Sequence, residues 1–117
     1  MPFMLLIVEP RGQREERGRE AGEQVYGRML KFAEDLKGRG VLRAVESLRG
    51  DADGVRVQRH AGASHLIDGP FAEAKEMVGG FFLIDVPTRE QALAIAAECP
   101  AAEWATVEVR ETGPCWM

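Results

Sequence analysis

A mixed α+β fold, in which two β-α-β units share one antiparallel sheet, is what this 117-residue sequence predicts. Three observations point to it. Two short runs, Phe3–Val8 and Val78–Val86, are apolar on both faces for most of their length, as strands covered on both sides must be. Each is followed by a segment with apolar residues at helical spacing, and then by another strand-like run. Between the two units, strand-like alternation is interrupted by Ala61-Gly62-Ala63-Ser64, a credible hairpin connection.

The first run ends at Glu9-Pro10-Arg11-Gly12. Gln13 to Gln24 is dominated by charge and glycine and reads as a solvated loop running into a helix start. From there Val25, Met29, Phe32, Ala33 and Leu36 make one apolar helical stripe, and Lys37-Gly38-Arg39-Gly40 supplies a helix end. Val41–Leu48 is the second strand, and Arg49 to Gly54 is a polar loop. Val55–His60 begins by alternating, so one face is expected to be buried and the other polar. The hairpin connection leads to a short strand, His65–Ile67. After Val78–Val86, Pro87 closes the strand, and Thr88 with Gln91 forms a capping-box start for a second helix. Leu93, Ala96 and Ala97 are its expected apolar side, and Pro100 ends it. Trp104–Glu111 is the last strand, with Ala105, Val107 and Val109 on one face and Thr106, Glu108 and Arg110 on the other.

This order describes a ferredoxin-like split β-α-β fold with an inserted hairpin, in a single domain over residues 1–117. The first and third core strands lie in the middle of such a sheet, which suits the two runs apolar on both faces. Two small helices cover only one face of it. A second copy packed sheet to sheet is the simplest cover for the other face, so a homodimer is expected.

Composition narrows the function classes. Hydrophobic residues make up 45% of the chain, ordinary for a soluble globular domain. No apolar run approaches the ~20 residues of a membrane span, and Met1-Pro2-Phe3 lacks the basic start of a signal peptide. A net charge of −4, with no basic aromatic-laced patch, argues against nucleic acid as a partner. The cysteines, Cys99 and Cys115, have no metal-type spacing, which fits a reduced, cytoplasmic setting.

The stretch before and into the second central strand is the most constrained. In Asp68-Gly69-Pro70-Phe71 proline fixes φ, glycine accepts an unusual backbone, and Asp68 can fold its carboxylate onto nearby N–H groups. Ala72 to Glu76 has helix propensity over about one turn. Gly79 and Gly80 open the strand and leave space that suits a bulge, or close approach by a ligand or another backbone.

The run DGPFAEAKEMVGGFFLIDV (Asp68–Val86), with MLLIV (Met4–Val8) and CPAAEWATVEVRE (Cys99–Glu111), resembles the YCII-related family, and within it the DGPF type. The resemblance implies a dimeric α/β barrel of ferredoxin-like protomers. It also implies a cleft between sheet and helices that binds a small molecule or acts on it. Relatives of the same fold include muconolactone isomerases and small monooxygenases, and some genes of the DGPF type neighbour or fuse with extracytoplasmic-function sigma factors. The founding YCII branch has a histidine near the first helix and an aspartate before a proline after the second, an acid/base pair. Here the first helix has no histidine and Cys99 precedes Pro100, so that pair does not carry over. Asp68, Gly69, Pro70, Phe71, Lys75, Glu76, Gly79 and Gly80 do.

Asp68 and Glu76 are therefore the candidate catalytic residues: a helical segment folding back would let both face one cleft, one of them acting as a general base. The plainer role for Asp68 is a turn cap, and for Glu76 an ion pair. Phe71, Gly79, Gly80 and Tyr26, the only tyrosine, are the candidate ligand-binding residues. His60 and His65 flank the hairpin connection, but no third ligand has suitable spacing, so no metal is expected. No cofactor motif is present, and no cofactor is expected. Cys99, at a helix C-terminus that disfavours a thiolate, reads as structural. Two functions stay open: a homodimeric domain that binds a small organic molecule and acts by metal-free acid/base chemistry, or a non-catalytic accessory domain working through protein contacts, such as with a sigma factor.

Overall fold

Strand β1 (Pro2–Pro10), helix α1 (Gln13–Gly38), strands β2 (Leu42–Ser47), β3 (Val55–His60), β4 (Ala63–Asp68) and β5 (Glu76–Asp85), helix α2 (Arg89–Glu98) and strand β6 (Thr106–Glu111) follow one another in the computed structural model, which describes residues 2–71 and 73–117. Short 3₁₀ turns span Asp51–Asp53 and Pro100–Glu103. The main sheet has the order β2-β5-β1-β6, all neighbours antiparallel. The two runs expected in the middle are in the middle. This is the strand arrangement of a ferredoxin-like α+β fold, with the β3–β4 hairpin as a separate two-stranded sheet.

Both helices lie on one face. Phe3, Leu5 and Ile7 of β1 alternate inward with Phe82 and Ile84 of β5, and they pack on Phe32, Ala33 and Leu36 of α1 and Ala92, Ile95 and Ala96 of α2. Phe32 meets Phe82 edge to face, centroids 5.2 Å apart. Burial at this density is the dominant stabilising term of the fold. On the opposite face Met4, Leu6, Phe81 and Leu83 are only partly covered. The molecule measures 46 × 40 × 19 Å, a two-layer slab with one open sheet face.

Four expectations need correction. The helix begins at Gln13, so Gln13 to Gln24 is not a loop. Glutamate, arginine, glutamine and alanine are good helix formers, and half-buried Gln13, Arg17, Ala21 and Val25 extend the stripe of Met29 and Leu36 toward the N-terminus. Gly18, with φ 80° and ψ 172°, interrupts α1 in a conformation glycine alone takes readily. Second, α2 buries Ala92, Ile95 and Ala96 and leaves Leu93 exposed; the helix is turned by about one position (~100°) from the expected face. Third, the hairpin buries neither face: every residue of β3 and β4 is exposed. Its two strands meet at Ala61-Gly62, both at positive φ, so β4 is longer than expected. Fourth, β5 begins at Glu76, with residues 73–75 in turn and bend rather than helix; Ala72 lies outside the described residues. Thr88 caps α2 as expected, its Oγ1 accepting from the Gln91 N–H at 3.2 Å.

Candidate binding cleft

The phase of β1 brings a charge inside. Counting by twos from Phe3, Leu5 and Ile7 on the helix-covered face leads to Glu9, which is 6% exposed. Among the described residues it is the one charged side chain that is buried. Opposite it, the ladder slips: Ile7 pairs with Gly80 and Val8 with Val78, leaving Gly79 as the extra residue of a β-bulge. The bulge expected at the glycine pair is present. A Cβ on Gly79 would overlap Glu9 Oε1, and one on Gly80 would stand 2.7 Å from the Glu46 carbonyl oxygen. The two glycines thus make room, one for a carboxylate and the other for a strand.

Arg14, in the first turn of α1, grips that carboxylate. Its Nε donates to Glu9 Oε2 at 3.0 Å and its Nη2 to Oε1 at 2.6 Å, a two-pronged pair. Its Nη1 donates to the Leu48 carbonyl at 2.9 Å, and the Leu48 N–H donates to the Gly79 carbonyl at 2.8 Å. Helix start, β2 end and bulge are joined through one guanidinium. Gln13 Nε2 donates to the Trp104 carbonyl at 2.7 Å, and the Arg17 and Arg28 guanidiniums lie over the Trp104 ring at 5.7 and 5.4 Å. The N-terminal turns of α1 are therefore tied down on both sides.

Between α1 and the sheet these contacts leave a cleft of about 990 Å³, near the upper end of small-molecule pockets. Val25, Met29, Leu30, Val45, Phe82 and Trp104 supply apolar walls, and Glu9 with Arg14 supplies a polar end. Of the six predicted site residues, Tyr26, Gly79 and Gly80 line this cleft. Phe71 and Glu76 border a smaller recess of about 620 Å³ with Arg49, Asp51 and Arg56. Asp68 lines neither; it is exposed at the end of β4, in register with Val55. Asp68 and Glu76 do not share a cleft.

The turn after β4 is held from below. Arg11 Nη1 donates to the carbonyls of Phe71 (2.8 Å) and Ala74 (3.0 Å), and its backbone N–H donates to the Lys75 carbonyl. Its Nε lies 3.0 Å from Asp51 Oδ2, an ion pair whose N–H does not point along a hydrogen bond. Arg56 stacks over the Phe71 ring at 3.8 Å. A Cβ on Gly69 would overlap the Asp51 carbonyl oxygen, so the DGPF glycine is required by packing.

The His60 and His65 rings meet edge to face at 5.2 Å, on diagonal positions of the hairpin. Among the described residues no three histidine, cysteine or acidic side chains gather to hold a metal ion. Cys99 is buried, and burial pushes its thiol up from the usual range, disfavouring the nucleophilic thiolate.

Glu9, Arg14 and Trp104 are what the reading by motif misses. The signal for Glu9 is present: an acid in phase with three inward-facing apolar residues, opposite a glycine pair.

A family model for the YCII-related domain matches residues 1–114. The chain belongs to the YCII-related family. No curated protein sequence matches it. Among solved structures, this YCII-related domain is similar to 5-chloro-2-hydroxyhydroquinone dehydrochlorinase from Burkholderia phenoliruptrix AC1100, in complex with 2,5-dihydroxybenzoquinone. That similarity has a TM-score of 0.57 and 14% identity, covering 97% of this chain and 94% of the other. At that identity it establishes the shared fold. Among the described residues, no helix of the YCII-related domain is long and apolar enough to cross a membrane.

Proposed function

We propose that this chain is a cytoplasmic, homodimeric YCII-related domain of the DGPF type that binds a small organic molecule in the cleft between α1 and the sheet. One observation carries the reading: apolar walls converge on a buried, hydrogen-bonded carboxylate at a glycine bulge. Small-molecule sites have this composition, mostly apolar with few placed polar groups. Tyr26, Gly79 and Gly80 belong to that set. Acid/base chemistry without metal fits the cleft better at Glu9 than at Asp68 and Glu76, which stand on its outside. The dehydrochlorinase of the same fold carries 2,5-dihydroxybenzoquinone, and a ring of that size suits this cleft.

The test is titration of the chain with 2,5-dihydroxybenzoquinone, followed by amide chemical shifts, beside a Val45→Trp variant that fills the cleft from β2. The expected result is saturable shifts at Glu9, Gly79 and Gly80 that the variant loses. Shifts confined to the turn around Phe71, or unchanged in the variant, overturn the reading.

The homodimer rests on the partly covered Met4, Leu6, Phe81 and Leu83 face. A second reading, an accessory domain working through protein contacts, draws on the hairpin, whose Val57 and Leu66 pair face to face at 65% and 68% exposure. Charging both positions (Val57→Asp with Leu66→Lys) leaves ligand binding in the cleft intact on the first reading. Loss of a partner protein with the cleft still empty of any ligand supports the second.

A further inference from the structure

The polar end of the cleft has a definite sense. Arg14 spends Nε and Nη2 on Glu9 and Nη1 on the Leu48 carbonyl. The other arginines that line the cleft are also engaged: Arg17 with Gln13 Oε1 and Trp104, Arg19 with Glu23, Arg49 with Asp53. Arg19 and Arg49 stand in solvent, at 92% and 86% side-chain exposure. The buried end of the cleft holds the Arg14–Glu9 pair, whose opposite charges offset each other and leave no net positive charge there to attract an anion. Glu9 still has acceptor capacity. A carboxylate accepts about four hydrogen bonds, and Arg14 supplies one to each oxygen, leaving lone pairs on both. Oε1 lies against the bulge where a Gly79 side chain would stand, and Glu9 also lines the cleft, so the cleft is the side from which a bound molecule meets it.

We infer that Glu9 is the specificity-determining acceptor of the cleft: it takes a hydrogen bond from an O–H group on the bound molecule, so the ligands are neutral, hydroxylated ring compounds rather than phosphates or carboxylates. Apolar walls at Met29, Val45, Phe82 and Trp104 take the ring, and Glu9 reads its hydroxyl. Arg14 is a positioning residue, holding the carboxylate in one orientation. This rests on the reading that the cleft is the binding site.

The experiment compares 2-naphthol with 2-methoxynaphthalene, which has the same ring but no proton to give. Binding is followed by amide shifts, and the state of bound 2-naphthol by its fluorescence. Excited 2-naphthol is a strong acid: its O–H bond breaks toward a neighbouring acceptor, the electron pair stays on the naphthol oxygen, and the emission moves to that of naphtholate. The expected result is at least about tenfold tighter binding of 2-naphthol than of the ether, as a hydrogen bond to a charged acceptor supplies. Naphtholate emission from the bound probe is expected as well. Glu9→Gln, which keeps the shape, should lose both. Equal affinity for the two probes, with shifts at Gly79 and Gly80, overturns the inference and leaves the cleft reading standing. Shifts outside the cleft, or none, overturn both. The comparison in the unmodified protein decides the matter even where Glu9→Gln folds poorly.

Discussion

Glu9 and Gly79 form a matched pair, and each explains the other. The carboxylate lies where a Cβ on Gly79 would be, so Gly79→Ala must push Glu9 out or move the bulge. Overpacking of this kind costs about 1–3 kcal/mol, and a lower urea midpoint with loss of the Glu9–Arg14 pair is the expected outcome. Glu9 was legible by counting in twos along β1, yet nothing in the sequence said that Arg14 would reach it. That contact depends on α1 starting at Gln13, twelve residues before the apolar stripe begins. Cys99 makes a second prediction at this scale. Its buried thiol is shifted up, whereas Cys115 is exposed. A thiol reagent at neutral pH should therefore label Cys115 alone in the native protein and both cysteines after unfolding.

At the scale of elements, the central strands and the α2 cap were legible because each depends on local chemistry. Runs apolar on both faces can lie only inside a sheet, and Thr88 with Gln91 spells a helix start. Thr88→Ala should cost about 0.5–2 kcal/mol in thermal unfolding. The start of α1 was legible only in its helix-forming residues; its sparse apolar spacing hid it, and its first turns are held from a distance by Glu9, Leu48 and Trp104. The hairpin misled for a related reason. Alternation at Val55 and Val57 promised a buried face, but the two residues stay 52% and 65% exposed. The turn around Phe71 depends on Arg11, which holds two carbonyls and Asp51. Arg11→Met should speed amide exchange in residues 73–75 and lower stability by about 1 kcal/mol, the order expected for losing hydrogen bonds to part-buried acceptors. The Glu9 cleft should bind as before.

At the scale of the whole molecule, the slab has two unlike faces. One face carries both helices; the other shows Met4, Leu6, Phe81 and Leu83. Leu6→Lys puts a charge in the middle of that open face. It should convert the proposed dimer to a folded monomer in light scattering, with little change in far-ultraviolet circular dichroism. A dimer of unchanged mass would show that the copies meet elsewhere. The family was legible from the DGPF stretch, and the fold from the order of its elements. The cleft was legible only in part, because its polar end is assembled from β1, the start of α1, and the β5 bulge. No single motif contains all three.

Amide shift mapping with a library of small neutral ring compounds tests the cleft as binding site most directly. Perturbations gathered on Glu9, Ser47, Gly79, Gly80 and the facing turns of α1 are the predicted result. Perturbations gathered on Arg49, Phe71 and Glu76, or on the open sheet face, would contradict it.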